Sequence, residues 1–116
     1  MDIDEILDQI YQLPESSREN LKLHISKGNY SKGFCLMEAH KVVPYIYFLK
    51  KGIARAYTSS ENNDITFWFG TEGEPIVSMK SYVEGKPGYE SIELLEDCEL
   101  YKLETSQLKL LFNEDI

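Results

Sequence analysis

Apolar residues near the N-terminus fall at helical spacing: Ile3, Ile6, Leu7 and Ile10. Asp2 with Glu5 three residues later resembles a capping box, so a helix is expected from about residue 2 to 12, stopped near Pro14. Ser16 with Glu19 has the spacing to cap a second, very short turn. From residue 21 the period changes. Leu21, Leu23 and Ile25 alternate with Lys22, His24 and Ser26, the two-residue period of a half-buried strand. Short strand candidates then recur at Phe34–Met37, Tyr45–Lys50, Ile53–Thr58, Asp64–Phe69, Tyr89–Leu94 and Glu99–Leu103. Turn signals separate them, among them Lys27-Gly28-Asn29, Lys51-Gly52 and Glu96-Asp97. Alternation in Asp64–Phe69 puts Ile65, Phe67 and Phe69 on one face, and Thr66 and Trp68 on the other. A short helix is expected around residues 78–84, and Thr105 is placed to cap a last helix carrying Leu108, Leu111 and Phe112. This order predicts a mainly β fold, an antiparallel double-stranded β-helix (jelly roll) with an N-terminal helix, a short internal helix and a short C-terminal helix.

Length and composition narrow the field. At 116 residues with 42% hydrophobic content, the chain is expected to form one domain, 1–116, with a real core. No apolar run approaches the roughly 18 residues that span a bilayer. The acidic start MDIDEILD lacks the basic region of a secretory signal, so a cytoplasmic address is expected. Cys35 and Cys98 match no metal spacing and read as reduced thiols. The net charge is −8 and uneven: residues 1–60 carry 8 Lys/Arg against 7 Asp/Glu, residues 61–116 carry 4 against 13. Such a chain is a poor nucleic-acid binder and is repelled by anionic membranes. His24 and His40, the only histidines, form no His-x-His pair, which disfavours a cupin-type metalloprotein. No nucleophile sits in a Gly-x-Ser-x-Gly turn, and no enzymatic activity is expected.

The chemistry concentrates in Phe67–Leu94. An aromatic strand enters a Gly-Glu-Pro turn, a Ser-rich helix-capable segment follows, then Gly85-Lys86-Pro87-Gly88, then another strand. Backbone N–H groups exposed in such a unit can converge on a small anion. Ser78 and the N–H groups from Val77 to Met79 are candidates to hold a ligand, although serines there also serve simply as helix caps. Lys80 and Lys86 are the only cations between residues 56 and 101, and read either as solvated lysines or as partial anion anchors. Arg55 reads as the partner of a nearby sheet carboxylate. Phe67, Trp68, Phe69 and Tyr82 read as core aromatics or as pocket lining. The acidic run Glu93, Glu96, Asp97 and Glu99 reads as a solvated edge.

Several motifs resemble a known family. Lys32-Gly33-Phe34-Cys35-Leu36 resembles the Lys-Gly-x-x-Leu opening of cyclic-nucleotide-binding domains. Tyr45 to Arg55, YIYFLKKGIAR, is similar to their strand–turn–strand, and especially to that of Crp/Fnr-type transcription regulators. Gly73-Glu74-Pro75-Ile76-Val77-Ser78-Met79 stands where the family's phosphate-binding cassette begins, and Leu95 to Leu100 resembles the acidic turn after it. The resemblance runs from about Lys22 to Phe112. It implies a cytoplasmic effector domain whose dimerising helix and helix-turn-helix lie outside these 116 residues, either because this is a sensor domain alone or because no DNA-binding half exists. It also implies a candidate ligand set of Gly73, Val77, Ser78, Met79, Lys80, Lys86, Gly88, Tyr89, Glu90 and Ser91. Two departures stand out. Ser78 replaces the family's ribose-binding glutamate, and Gly88 replaces the arginine that pairs with the cyclic phosphate.

The leading expectation is a small-molecule-sensing domain of a Crp/Fnr-like regulator that does not bind cyclic AMP in the usual way and carries no cofactor. A ligand-free interaction module, with weak homodimerisation through the C-terminal helix, is the alternative. The charge yields a direct prediction. This chain alone should give no gel shift with duplex DNA at about 150 mM salt and micromolar protein, since it lacks the basic surface that neutralises phosphates; a persistent shift under those conditions would contradict it.

Overall fold

The computed structural model describes residues 2–10, 14–60 and 63–114. Two antiparallel four-stranded sheets face each other. The strands are β1 (Ser26–Tyr30), β2 (Cys35–Met37), β3 (Tyr45–Lys51), β4 (Ala54–Ser60), β5 (Asn63–Gly70), β6 (Pro75–Ile76), β7 (Ser91–Leu94) and β8 (Cys98–Glu104). The first sheet has the order β1-β8-β3-β6 and the second β2-β7-β4-β5. The helices are α1 (Ile3–Ile10), α2 (Glu15–Leu23), α3 (Met79–Glu84) and α4 (Thr105–Glu114). The jelly roll with terminal helices and an internal short helix is therefore present. None of these helices is long and apolar enough to cross a membrane.

Alternation on β3 and β8 sorts their side chains between two buried clusters. Tyr47, Leu49, Cys98 and Leu100 join Leu36, Met37, Ala54, Ala56, Ile76, Ile92 and Leu94 between the sheets. Ile46, Phe48, Tyr101 and Leu103 point the other way, onto Ile6, Leu7 and Leu21 of the helices. Each fully buried aliphatic side chain of this kind contributes about 1.5–3 kcal/mol. Leu49 and Leu100 are completely inaccessible.

The segment expected as a strand from residue 21 is instead the end of a nine-residue helix, α2. Its start is preceded by Pro14 with no side-chain cap, so Ser16 and Glu19 do not form the expected capped turn. Leu21 is buried while Leu23 is 82% exposed, which fits one helical face rather than alternation. Charge pairs decide the matter. Arg18 bonds Asp8, and Lys22 Nζ donates to Asp4 at 3.0 Å, so the polar side of α2 is clamped to α1. These bonds also hold the Asp4 carboxyl below its ordinary pKa. The expected Asp2 cap is made: the Glu5 N–H donates to Asp2 Oδ1 at 2.9 Å. Residues 11–13, where the first helix was expected to end, lie outside the described residues.

The strand expected at Phe34–Met37 begins at Cys35, and the one expected from Tyr89 begins at Ser91. β1 and β6 were not foreseen. Thr105 is the first residue of α4 rather than its cap; its N–H and Oγ1 both donate to the Pro44 carbonyl, at 2.9 and 3.2 Å. Leu108 packs on the helix-side cluster. The side chains of Leu111 and Phe112, expected to share that contact, lie outside the described residues.

Tyr47 supplies a pH test. Burial pushes its pKa up to about 12, against an ordinary value near 10. The neutral phenol is favoured in the fold, so its contribution is complete below about pH 10 and is lost as pH rises toward 12. The urea midpoint should fall between pH 9 and 11 by an amount equivalent to about 1 kcal/mol, and Tyr47→Phe should remove that part of the loss. An identical alkaline slope in the variant would show that Tyr47 does not titrate against folding.

Candidate functional site

A cavity of about 320 Å³ opens beside the short helix. β4 and β7 contribute Ala56 and Ile92, and β5 contributes Phe67 and Trp68. Pro75 and Ile76 of β6, with Val77 after them, form further lining, and Glu90 completes it. The cavity thus lies between the second sheet and the cassette, with two aromatic rings and one carboxylate.

A β-bulge places those rings. Ala56 pairs with Trp68 and Tyr57 with Thr66, which leaves Phe67 as the extra residue. Trp68 opposes Ala56 on the inner face, and Ile65, opposite Thr58, shares that side of β4. Phe69 opposes Arg55 on the outer face and is 57% exposed. The expected grouping of Ile65, Phe67 and Phe69 on one face is therefore wrong, because strict alternation does not survive a bulge. Of the four aromatics weighed for the pocket, Phe67 and Trp68 line it. Phe69 does not, and Tyr82 of α3 instead carries Lys109 Nζ of α4 at 5.1 Å from its ring centroid.

The cassette is tightly stitched. Ser78 is 3% exposed and caps α3, accepting from the Ser81 N–H at 3.4 Å. Gly85, with φ +68°, closes the helix by donating its N–H to the Ser81 carbonyl. Ser81 Oγ donates to the Lys86 carbonyl at 2.9 Å and accepts the Val43 N–H at 3.1 Å. The His40 N–H donates to the Gly88 carbonyl at 2.9 Å, and the Ala39 N–H to Ser91 Oγ at 3.0 Å. Residues 39–43 are thus tied to the cassette at three points. Sequence reasoning missed this loop, since nothing in Ala39-His40-Lys41 marks it; His40 at φ +69° is the backbone trace of the constraint.

The predicted site residues separate into groups. Val77 and Glu90 line the cavity. Ser78 and Gly88 meet directly behind it: a Cβ on Gly88 would lie 2.7 Å from Ser78 Oγ and 3.5 Å from both Glu90 carboxylate oxygens. Lys80 is turned to Tyr89, donating to its hydroxyl at 2.5 Å and lying 4.0 Å from its ring centroid. That contact raises the Lys80 pKa. Lys86 is exposed, and neither lysine lines the cavity. Gly73 serves the β5–β6 turn with φ +89°, its N–H donating to the Leu49 carbonyl at 2.7 Å. Ser91 anchors Ala39, and the side chain of Met79 lies outside the described residues.

Other charged residues have structural partners. Arg55 Nε donates to Glu93 at 2.8 Å, Nη1 to Thr66 Oγ1 at 2.8 Å, and its guanidinium lies over Tyr57. The acidic run is not a free edge: Glu93 sits on interior strand β7 against Arg55, and Asp97 Oδ1 accepts the Lys32 N–H at 2.9 Å. Cys35 and Cys98 are free thiols, and burial raises the pKa of each. Among the described residues no three His, Cys, Asp or Glu side chains gather as a metal site.

The Ser78–Gly88 contact is testable. Gly88→Ala should destabilise the domain by about 1–3 kcal/mol through overpacking, and Ser78→Ala should recover part of that loss in the double variant. Urea denaturation of the four proteins checks it; additive losses would mean that the two residues do not press on each other.

Comparison with known proteins follows from this geometry. No curated protein sequence matches the chain. The regulatory domain of Toxoplasma gondii protein kinase A, solved with cyclic AMP, superposes with a TM-score of 0.87 at 13% identity, covering 94% of this chain and 42% of that one. The sensor domain of the transcriptional regulator DNR from Pseudomonas aeruginosa gives 0.81 at 10% identity, covering 93% and 71%. The regulatory subunit of a cyclic-AMP-independent protein kinase A from Trypanosoma cruzi, solved bound to guanosine, gives 0.78 at 12% identity, covering 87% and 36%. The chain thus spans less than half of either kinase regulatory chain. The jelly roll expected from the strand order is shared with all three, including the DNR regulator. The family model described as "Cyclic nucleotide-binding domain" matches residues 27–115, and the chain belongs to that family.

Proposed function

We propose that this is the ligand-sensing domain of a Crp/Fnr-like transcription regulator, cytoplasmic and without enzymatic activity, whose effector occupies the cavity beside α3. One observation carries the reading: the cassette that forms part of the cavity wall is joined to the C-terminal helix. Tyr82 of α3 holds Lys109 of α4. Val77 lines the cavity and also packs on the buried cluster that receives Leu108. The loop bonded to the cassette ends at Pro44, whose carbonyl holds the first residue of α4. A ligand that favours one cassette position therefore biases α4 and whatever follows it, as a population shift between two arrangements.

The effector is not bound as family members bind cyclic AMP. Among the described residues no arginine lines the cavity, Gly88 leaves no room for a side chain beside Ser78, and Glu90 lines the space instead. The fold accommodates both kinds of ligand in its relatives, cyclic AMP in the Toxoplasma gondii protein and guanosine in the Trypanosoma cruzi one.

A second reading has its own support. β5 is an edge strand, and Phe69 on its outer face is more than half exposed, which suits a weak homodimer of an interaction module through the sheet edge. Ligand response separates the two readings: a sensor responds to ligand whether or not it associates, while an interaction module associates in sedimentation runs and no compound raises its Tm.

Trp68 is the chain's only tryptophan and lines the cavity, so its emission reports occupancy. Calorimetry at pH 7 should show no sub-micromolar affinity for cyclic AMP. A screen of nucleotides, nucleosides and small organic acids and amines should find compounds that raise Tm and shift Trp68 emission. Tyr82→Ala should keep that emission change while abolishing the ligand's effect on amide exchange in α4. Loss of binding together with coupling would overturn the proposed route.

A further inference from the structure

We infer that Glu90 sets the effector class: the cavity takes a planar, largely apolar molecule that ends in hydrogen-bond donors, neutral or cationic, and rejects the same molecule when that end is anionic. The inference rests on the cavity being the effector site and goes further, to the charge of what enters it. The starting point is composition. Among the described residues Glu90 is the one ionisable group in the lining, and the other lining side chains are apolar. Among the described residues its carboxylate makes no ion pair or hydrogen bond. The two nearby lysines do not neutralise it, since Lys80 is committed to Tyr89 and Lys86 stands exposed.

Position matters as much as charge. Both carboxylate oxygens lie 3.5 Å from where a Cβ of residue 88 would be, so the carboxylate stands over Gly88 itself. The close approach of Gly88 to Ser78 Oγ keeps any side chain out of that space. The end of the cavity where a positive group would meet an anion thus presents a negative one. A carboxylate is acceptor-only when ionised, with about four lone-pair sites, and apolar walls offer it nothing in return. Hydroxyl, amino or ammonium groups of a ligand satisfy it; a phosphate or carboxylate brought beside it meets like charge. Phe67 and Trp68 supply flat faces for the ligand's body. Glu90 acts by touching the ligand, and its role is specificity.

Matched pairs test the charge rule with the full chain: adenosine against cyclic AMP, guanosine against cyclic GMP, and phenethylamine against 3-phenylpropionate. The first two pairs ask for neutral donors and the third for a cation, so together they also tell which source of donors the cavity prefers. In at least one pair the donor-ended member should bind about tenfold or more tightly than its anionic partner, a difference of ~1.4 kcal/mol. Glu90→Gln, with an unchanged circular-dichroism melt, should reduce that ratio to about threefold or less by weakening the donor and admitting the anion. Anionic members that bind as well as their partners, or a ratio that survives in Glu90→Gln, would overturn the inference while leaving the sensor reading intact. If no member of any pair moves Tm or Trp68 emission at about 5 mM, the inference fails, and the sensor reading is decided by the wider screen of nucleotides, nucleosides, organic acids and amines.

Discussion

Strands β3 and β8 are buried on both faces, and the placement of the remaining elements follows from that. Each strand sends alternate side chains into the space between the sheets and onto the helices. A sheet with two apolar faces must be covered on both. One cover is the second sheet; the other is α1, α2 and α4. The helices are too short to persist alone in water and hold their form through this packing. The cavity lies where the inter-sheet cover is incomplete, between β5 and the cassette, and its lining is drawn from the strands that make the core.

Much of this was legible in the sequence because short apolar and aromatic runs bounded by turn signals mark strands whether one face is buried or two. Strands β3, β4 and β8 fall close to their expected limits, and α3 starts next to the serine that caps it. What failed did so for nameable reasons. Leu21, Leu23 and Ile25 satisfy a strand pattern, but Arg18 and Lys22 have acidic partners on α1 that a window of five residues does not contain. β1, with Lys27-Gly28-Asn29 in its middle, reads as a turn; it is a strand because β8 offers it a ladder. The bulge at Phe67 shifts every later side chain by one face, and no local residue announces it.

The site was legible in its location and less so in its parts. Segment 73–91 does form one wall of a cavity, and the family resemblance pointed to it. Yet of the ten residues expected to hold a ligand, two line the space, while several others hold the cassette together. Serines 78, 81 and 91 all act as hydrogen-bond partners to backbone. Their chemistry suits a ligand as well as a backbone amide, so residue type alone does not separate the roles. The aromatics Phe67 and Trp68 stand just before the cassette and read as candidate lining, but the bulge that separates them from Phe69 has no local signature.

The three bonds from Ala39, His40 and Val43 to the cassette have a dynamic corollary. The amides of His40 and Val43 depend on the cassette for their acceptors, Gly88 and Ser81, while that of Ala39 is held by Ser91 at the start of strand β7. Local opening of the cassette frees the His40 and Val43 amides together, so their hydrogen exchange reports the stiffness of a segment about forty residues away in sequence.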